Sequence, residues 1–242
     1  MIDIHCHILP DLDDGAASLE EALEMARIAA YSGVTDIIAT PHFRGEPEAL
    51  EMIGDISRRF VQLQEALERW SIPIRLHRGA EILCTPQTPA LARQELLPTL
   101  GNTRYVLTEF YFNESFGFMD ITLQKIAAAG YIPVVAHPER YDAVQWDPER
   151  LWSWVDRGCV LQLNKGSVLG LLGHRAERTA HELMGLGLAH LFASDAHNCE
   201  RRTPNMEGLY RWTEEFCDEE CARMLLTENP GKILQGIPII TP

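Results

Sequence analysis

The chain has 242 residues, with 35 acidic against 21 basic side chains and a formal net charge of −14. That balance excludes general nucleic-acid binding and adhesion to anionic membranes, both of which need clustered cations. A hydrophobic fraction of 46% supplies a sizeable core, and no apolar run reaches the roughly 18 residues that span a bilayer, so no membrane insertion is expected.

The first strand is read at Ile2–Ile4, so no signal peptide is expected ahead of it. His5 and His7 follow with two-residue spacing, which places them on one face of extended backbone and within reach of one metal ion. Asp11, Asp13 and Asp14 lie in a turn closed by Gly15, where a carboxylate can fold back. The spacing leaves Asp13 and Asp14 open as alternatives.

Ser18-Leu-Glu-Glu21 is a capping box, and Leu19, Leu23, Ala26 and Ala30 recur at helical spacing up to Gly33. Thr35–Thr40 is a strand that runs into Pro41-His42-Phe43. Residues 48–70 form a charged amphipathic helix, and Ile74–Ile82 a third strand with Glu81 near its end. A weak helix covers 88–96, and Tyr105–Phe110 is a strand carrying Glu109. Residues 119–129 are helical up to Gly130, and Ile132–Ala136 leads into His137-Pro-Glu-Arg140. A tryptophan-bearing helix at 148–157 precedes the strand Val160–Asn164. Helix 174–187 precedes the strand His190–Ala193, which ends in Ser194-Asp195-Ala-His197. One long helix, 205–227, and a short apolar tail close the chain.

Seven strand–helix alternations with no linker imply parallel strands, right-handed crossovers and one domain over 1–242. The expected fold is α/β, a closed or nearly closed (β/α) barrel. A doubly wound sheet is the alternative that periodicity leaves open. Six cysteines, at 6, 84, 159, 199, 217 and 221, include no CxxC pair, and free thiols in a reducing cytoplasm are expected.

Ordered by strand, the polar residues collect at one rim. His5 and His7 follow strand one, His42 strand two, Glu81 strand three, Glu109 strand four, His137 strand five, and Asp195 and His197 strand seven. In a parallel barrel this is the C-terminal face, where such folds place their chemistry. Carboxylates packed so closely repel one another unless cations lie between them. His77, His174, His181 and His190 fall elsewhere and are read as structural or solvent-facing.

Imidazoles and carboxylates without organised cysteines suit manganese, iron, zinc or magnesium. With Asp14 there are nine candidate ligands, enough for two or three divalent ions. Three such ions carry about +6 against about −4 from Asp14, Glu81, Glu109 and Asp195, so an anionic substrate fits. Arg140 and Arg202 extend from the same rim and suit bidentate grip on a phosphoryl group. Arg44 and Arg201 are weaker candidates.

The HxH motif, the DDG turn, TPH, GAE, TEF, AHPERY and SDAHN resemble the polymerase-and-histidinol-phosphatase (PHP) superfamily. More narrowly, they resemble the bacterial tyrosine-protein phosphatases of capsule and exopolysaccharide operons. The resemblance runs from Met1 to about Pro230. It implies a distorted seven-stranded barrel with a trinuclear, often manganese-dependent centre, and hydrolysis of phosphotyrosine on a cognate bacterial tyrosine kinase. By motif it assigns His5, His7, Glu81 and Asp195 to one ion. Glu81 would bridge to a second ion shared with Glu109 and His137, and Asp14, His42 and His197 would hold the third. Where relatives often carry a further His or a longer basic run, this chain has Phe43-Arg44-Gly45, which leaves the substrate contacts of that loop open.

In the mechanism such a centre implies, an ionised water attacks phosphorus while Arg140 and Arg202 neutralise the equatorial oxygens. His42 or His197, where free of metal in part of the cycle, or Asp195 through water is available to protonate the leaving group, and no general acid is assigned. A phenolate, with a pKa of about 10, needs little such help. The rival readings are a phosphoesterase for histidinol phosphate, a nucleotide or DNA ends, an amidohydrolase, and an idle metal-binding module. A cysteine phosphatase loop is excluded: Cys217 and Arg223 have the Cys-x5-Arg spacing, but the residues between them are acidic and helical.

Overall fold

Residues 1–45 and 49–240 are described by the computed structural model. Its strands are β1 (Ile2–Cys6), β2 (Asp36–Ala39), β3 (His42–Phe43), β4 (Arg75–Arg78), β5 (Glu81–Leu83), β6 (Tyr105–Glu109), β7 (Ile132–Ala136), β8 (Val160–Asn164) and β9 (Leu191–Ala193). Every pairing between them is parallel. They form two sheets, ordered β1-β2-β4 and β3-β5-β6-β7-β8-β9. Beyond β1 and β9 the chain ends run side by side, with a parallel bridge between Cys6 and Ala196. There the Asp195 N–H donates to the His5 carbonyl and the His7 N–H to the Ala196 carbonyl, each at 2.9 Å.

The second expected strand, Thr35–Thr40, is β2, and the short β3 forms beyond it, separated by Thr40-Pro41 because proline lacks the N–H that would continue the ladder. The third divides into β4 and β5 at Gly79-Ala80. A Cβ on Gly79 would stand 2.7 Å from the Ile38 side chain, so only glycine lets the chain pass there. Glu81 therefore opens β5 rather than closing a strand.

The helices are α1 (Leu19–Tyr31), α2 (Ala49–Arg69), α3 (Thr88–Arg93), α4 (Phe116–Ala128), α5 (Asp142–Trp146), α6 (Trp152–Val155), α7 (Lys165–Val168), α8 (His174–Gly185), α9 (Glu207–Phe216), α10 (Glu219–Arg223) and α11 (Asn229–Gln235). Ser18 caps α1 through its hydroxyl, which accepts from the Glu21 N–H at 3.2 Å. Glu21 reaches back to the Ala17 N–H rather than to Ser18. The expected start of α2 at residue 48 lies outside the described residues.

The long helix expected over 205–227 is a correction. It stops at Cys217, and Asp218 caps a new helix by accepting from the Cys221 N–H at 2.8 Å. Asp is a strong cap and a poor interior helix residue, so a local bond outcompetes continuation. Of the tail behind it, Asn229–Gln235 is helical as α11.

Alternation along the strands sends side chains to two cores. Ile4, Ile38, Tyr105, Leu107, Val134, Ala136, Val160, Leu191 and Ala193 cluster between the sheets. Their neighbours Ile37, Val106, Val135, Leu161 and Phe192 join the larger cluster under the helices. The inner cluster is the floor on which the polar residues of the strand ends rest.

Asp36, at the start of β2, is buried and accepts from Arg75 at 2.6 and 2.7 Å, with His77 Nε2 at 2.9 Å. Burial opposes its ionisation, but the bonds from Arg75 and His77 outweigh that and lower its pKa to about 2. A carboxyl depressed in the folded state contributes stability above its unfolded pKa of about 3.9 and loses it as pH falls towards about 2. Asp36→Asn is therefore expected to lower the melting temperature at pH 7 and to flatten its decline between about pH 4 and pH 2, as read by thermal melts across that range.

Candidate metal centre

All nine expected ligands meet in one cluster, although His42 and Glu81 open β3 and β5 rather than closing strands. Four overlapping sets bring their ligand atoms within 4.8 Å of one another: His7, Asp14, His42 and His197; His5, His7 and Glu81; His5, His137 and Asp195; and His42, Glu81 and Glu109. Glu81 is the hub. Its oxygens lie 3.2 Å from His5 Nε2, 3.2 Å from His7 Nε2, 3.2 Å from His42 Nδ1 and 3.0 Å from His137 Nε2. His137 also sits beside His5 and Asp195, a closer association than the motif assignment implied.

Two ligand positions have left-handed backbone, His137 at φ 35° and Asp195 at φ 50°. Such backbone is uncommon for non-glycine residues and is tolerated where surrounding structure over-determines it. Here it turns each side chain out of its strand line. The DDG turn is fixed by contact: a Cβ on Gly15 would stand 2.1 Å from the His7 carbonyl oxygen.

The structure separates the two aspartates of this turn. Asp13 accepts from His7 Nδ1 at 2.8 Å, from the His42 N–H at 2.9 Å and from the Gly15 N–H at 2.9 Å. Asp14 instead points an oxygen at His42 Nε2, 3.3 Å away, and at His197 Nε2, 3.5 Å away. Asp13 thus supports the cluster and Asp14 faces into it.

This arrangement fits cations. A carboxylate only accepts, so Asp13 fixes the proton on His7 Nδ1, and neutral His7 then offers an Nε2 lone pair to the cluster. That lone pair faces Glu81 and, at 3.2 Å, His5 Nε2. Facing lone pairs repel unless a proton or a metal ion sits between them. His137 Nδ1 is buried and has no hydrogen-bond partner among the described residues.

The electrostatics carry the same demand. Burial works against a charged His7, yet bonds to Asp13 and Glu81 raise its pKa to about 10. His5, buried beside Glu81 and Asp195, is raised to about 9. Burial also opposes ionised Glu81 and Asp195, but the surrounding imidazoles, with Arg202 at Asp195, hold both carboxyls far below the usual range. Glu109 moves the other way, raised by burial and by the charge on Glu81. The carboxylates require positive charge among them, which protons or divalent ions can supply.

Both arginines converge on Asp195. Arg202 reaches its Oδ2 at 2.6 Å and Arg140 at 3.6 Å. The loop bearing Arg202 is pinned by Asn198, whose side chain accepts from three N–H groups at 200–202, and by Lys165, which donates to the carbonyls of Thr203 and Asn205. Arg44 lies nearby, beside His42 and Glu109. The four control histidines stay out of the cluster: His77 bonds Asp36, His181 the Val168 carbonyl, His190 accepts from the Leu161 N–H, and His174 is exposed. Cys217 is exposed at a helix end and Arg223 pairs with Glu228, so no phosphate loop forms there.

Residues 1–235 match the family model for capsular polysaccharide synthesis, CpsB/CapC. The chain belongs to the CpsB/CapC family. It is 37% identical to the tyrosine-protein phosphatase YwqE of Bacillus subtilis, over 98% of this chain and 92% of that one. It is 33% identical to the tyrosine-protein phosphatase CpsB of Streptococcus pneumoniae, over 97% and 98%. A crystal structure from work on YwqE and CpsB, described as unique metal-dependent tyrosine phosphatases, superposes with a TM-score of 0.90 over 100% of this chain and 97% of that one, at 33% identity.

Two supporting residues escaped the sequence reading, and a third, Asp13, stood open there only as a ligand. Gln162 Oε1 lies 2.9 Å from His5 Nδ1, Asn164 donates to Asp195, and Asp13 holds His7. A signal for two of them was present: Gln162 and Asn164 alternate in the otherwise apolar β8, which contributes no ligand of its own. Outer partners of this kind usually account for about 10- to 100-fold in metal affinity. Asp13→Ala is expected to weaken manganese binding by that order in chelator competition. Unchanged affinity would reduce Asp13 to a turn former.

Proposed function

We propose that this chain is a metal-dependent phosphomonoester hydrolase that removes phosphate from tyrosine of a bacterial tyrosine kinase controlling capsule or exopolysaccharide synthesis. The observation that carries it is the convergence of five imidazoles and four carboxylates on one another, with two arginines beside them. The relatives named as tyrosine phosphatases support it over histidinol phosphate. The acidic balance counts against DNA ends.

His5, His7, Asp14, His42, Glu81, Glu109, His137, Asp195 and His197 are proposed as ligands of two or three divalent ions, manganese first. Bound there, such ions supply an acidic water and charge neutralisation for a phosphoryl group. Arg140 and Arg202 bind the phosphoryl oxygens, and Asp195 aims both guanidinium groups. Glu81, Glu109 and Asp195 keep the site attractive to cations, and the buried rings of His5 and His7 wall its floor from water. His42, more open than His5 and His7, can carry a proton towards the leaving oxygen only while it is free of an ion.

The two sheets are proposed as the halves of one distorted (β/α) barrel of the PHP type, a single domain over 1–242. The Cys6–Ala196 bridge, together with the continuous chain from β2 to β3 and from β4 to β5, supports this reading. A cytoplasmic site of action agrees with six free cysteines. Among the described residues no helix is long and apolar enough to cross a membrane.

The test is hydrolysis of a phosphotyrosine peptide by the full chain, with and without manganese. Turnover is expected only with the ion, and His137→Ala and Arg140→Ala are each expected to abolish it while the thermal melt stays cooperative. A His137→Ala protein that kept most of its activity would overturn the ligand assignment.

A further inference from the structure

One cleft borders the metal centre and is left unused by the chemistry above. It measures about 210 Å³ and is lined by His42, Arg44, Leu83, Glu109, Phe110, Tyr111 and Phe112. Pockets for drug-sized ligands start near 300 Å³, so this one suits a single side chain. His42 and Glu109 belong both to the cleft and to the cluster of candidate ligands, which makes the two spaces continuous.

Its apolar wall is unusual for surface chain. Tyr111 and Phe112 are 58% and 42% exposed, although rings of this size gain most from burial. Phe112 is nonetheless held in place. The Arg140 guanidinium lies 4.3 Å from its ring centre, the His137 ring packs edge-on at 6.1 Å, and its carbonyl accepts from the Asp142 N–H at 2.8 Å. An exposed ring fixed by two groups of the site itself is poised to receive something flat.

We infer that the cleft takes the aromatic ring of an aryl phosphate, with Tyr111 and Phe112 setting a preference for tyrosyl over short alkyl phosphates. The assignment rests on the phosphatase reading of the neighbouring centre. Depth supports it: His5, His7, Glu81 and Asp195 are all buried, so a phosphoryl group must reach below the surface to meet them, and the cleft shares His42 and Glu109 with that cluster. A tyrosyl phosphate spans such a depth with a rigid ring, whereas a seryl phosphate has only one methylene between its ester oxygen and its backbone. Arg44, a weaker candidate for the phosphoryl group in the sequence, lines the same cleft, and a guanidinium there is a group that stacks on aromatic rings.

The experiment compares binding of phenylphosphonate and methylphosphonate to the manganese-loaded full chain by calorimetry, in wild type, Tyr111→Ala and Phe112→Ala. Neither compound is hydrolysed, so the readout is affinity alone. Wild type is expected to favour the phenyl compound, and a lost ring contact lowers the phenyl-to-methyl affinity ratio by about two- to tenfold. Tyr111 is exposed enough for its variant to fold even if Phe112→Ala does not. A fall in the ratio in either variant supports the inference, and a wild-type ratio in every variant that folds overturns it. A chain that hydrolyses phosphotyrosine yet shows no change in ratio refutes this assignment alone, whereas a chain inert to every phosphomonoester refutes the phosphatase reading itself.

Discussion

A carboxylate taken out of water needs compensating charge or hydrogen bonds close by, and Glu81 is the point at which this chain meets that demand. It is 1% exposed and has four imidazole nitrogens within 3.2 Å. Leaving such a charge unpaired costs several kcal/mol, so its partners cannot be chosen independently of it. The break at Gly79-Ala80 that lets Glu81 enter, the left-handed backbone at His137 and the Gly15 turn against His7 all serve to bring donors to this one group. The fold's irregularities lie where the charge problem is, while the regular strands below carry apolar side chains.

Much of this was legible in sequence because strand ends are legible. Once β-branched runs alternate with helical ones, residues just past each run share a rim, and eight of the nine candidates could be named from that placement. The spans of β7 and β8 follow from composition alone. What escaped depended on tertiary contact. Gly79 reads as an ordinary strand residue until Ile38 is seen against it, and Asp218 looks like part of a long amphipathic helix until its side chain is found capping a new one. Asp13 and Asp14 are indistinguishable by spacing, and only the direction of the turn sends one to His7 and the other towards His42 and His197. Phe112 was passed over because an aromatic near a strand end is ordinarily core.

The acidic surface and the proposed anionic substrate are compatible because the field is reversed locally. Arg140 and Arg202 share Asp195, so neither is free to wander, and Arg140 is also stacked on Phe112. The groups that would hold a phosphoryl oxygen are thereby coupled to the wall that would hold a ring. On this reading the cluster would set the reaction type and the rim would set what reaches it.

The central claim is that this convergence exists to hold cations, and elemental analysis of the purified chain after exhaustive dialysis tests it most directly. Two or three tightly held divalent ions per chain are predicted, falling sharply in Glu81→Gln. A wild-type chain that retains none, and takes up none when manganese is supplied, would contradict the account.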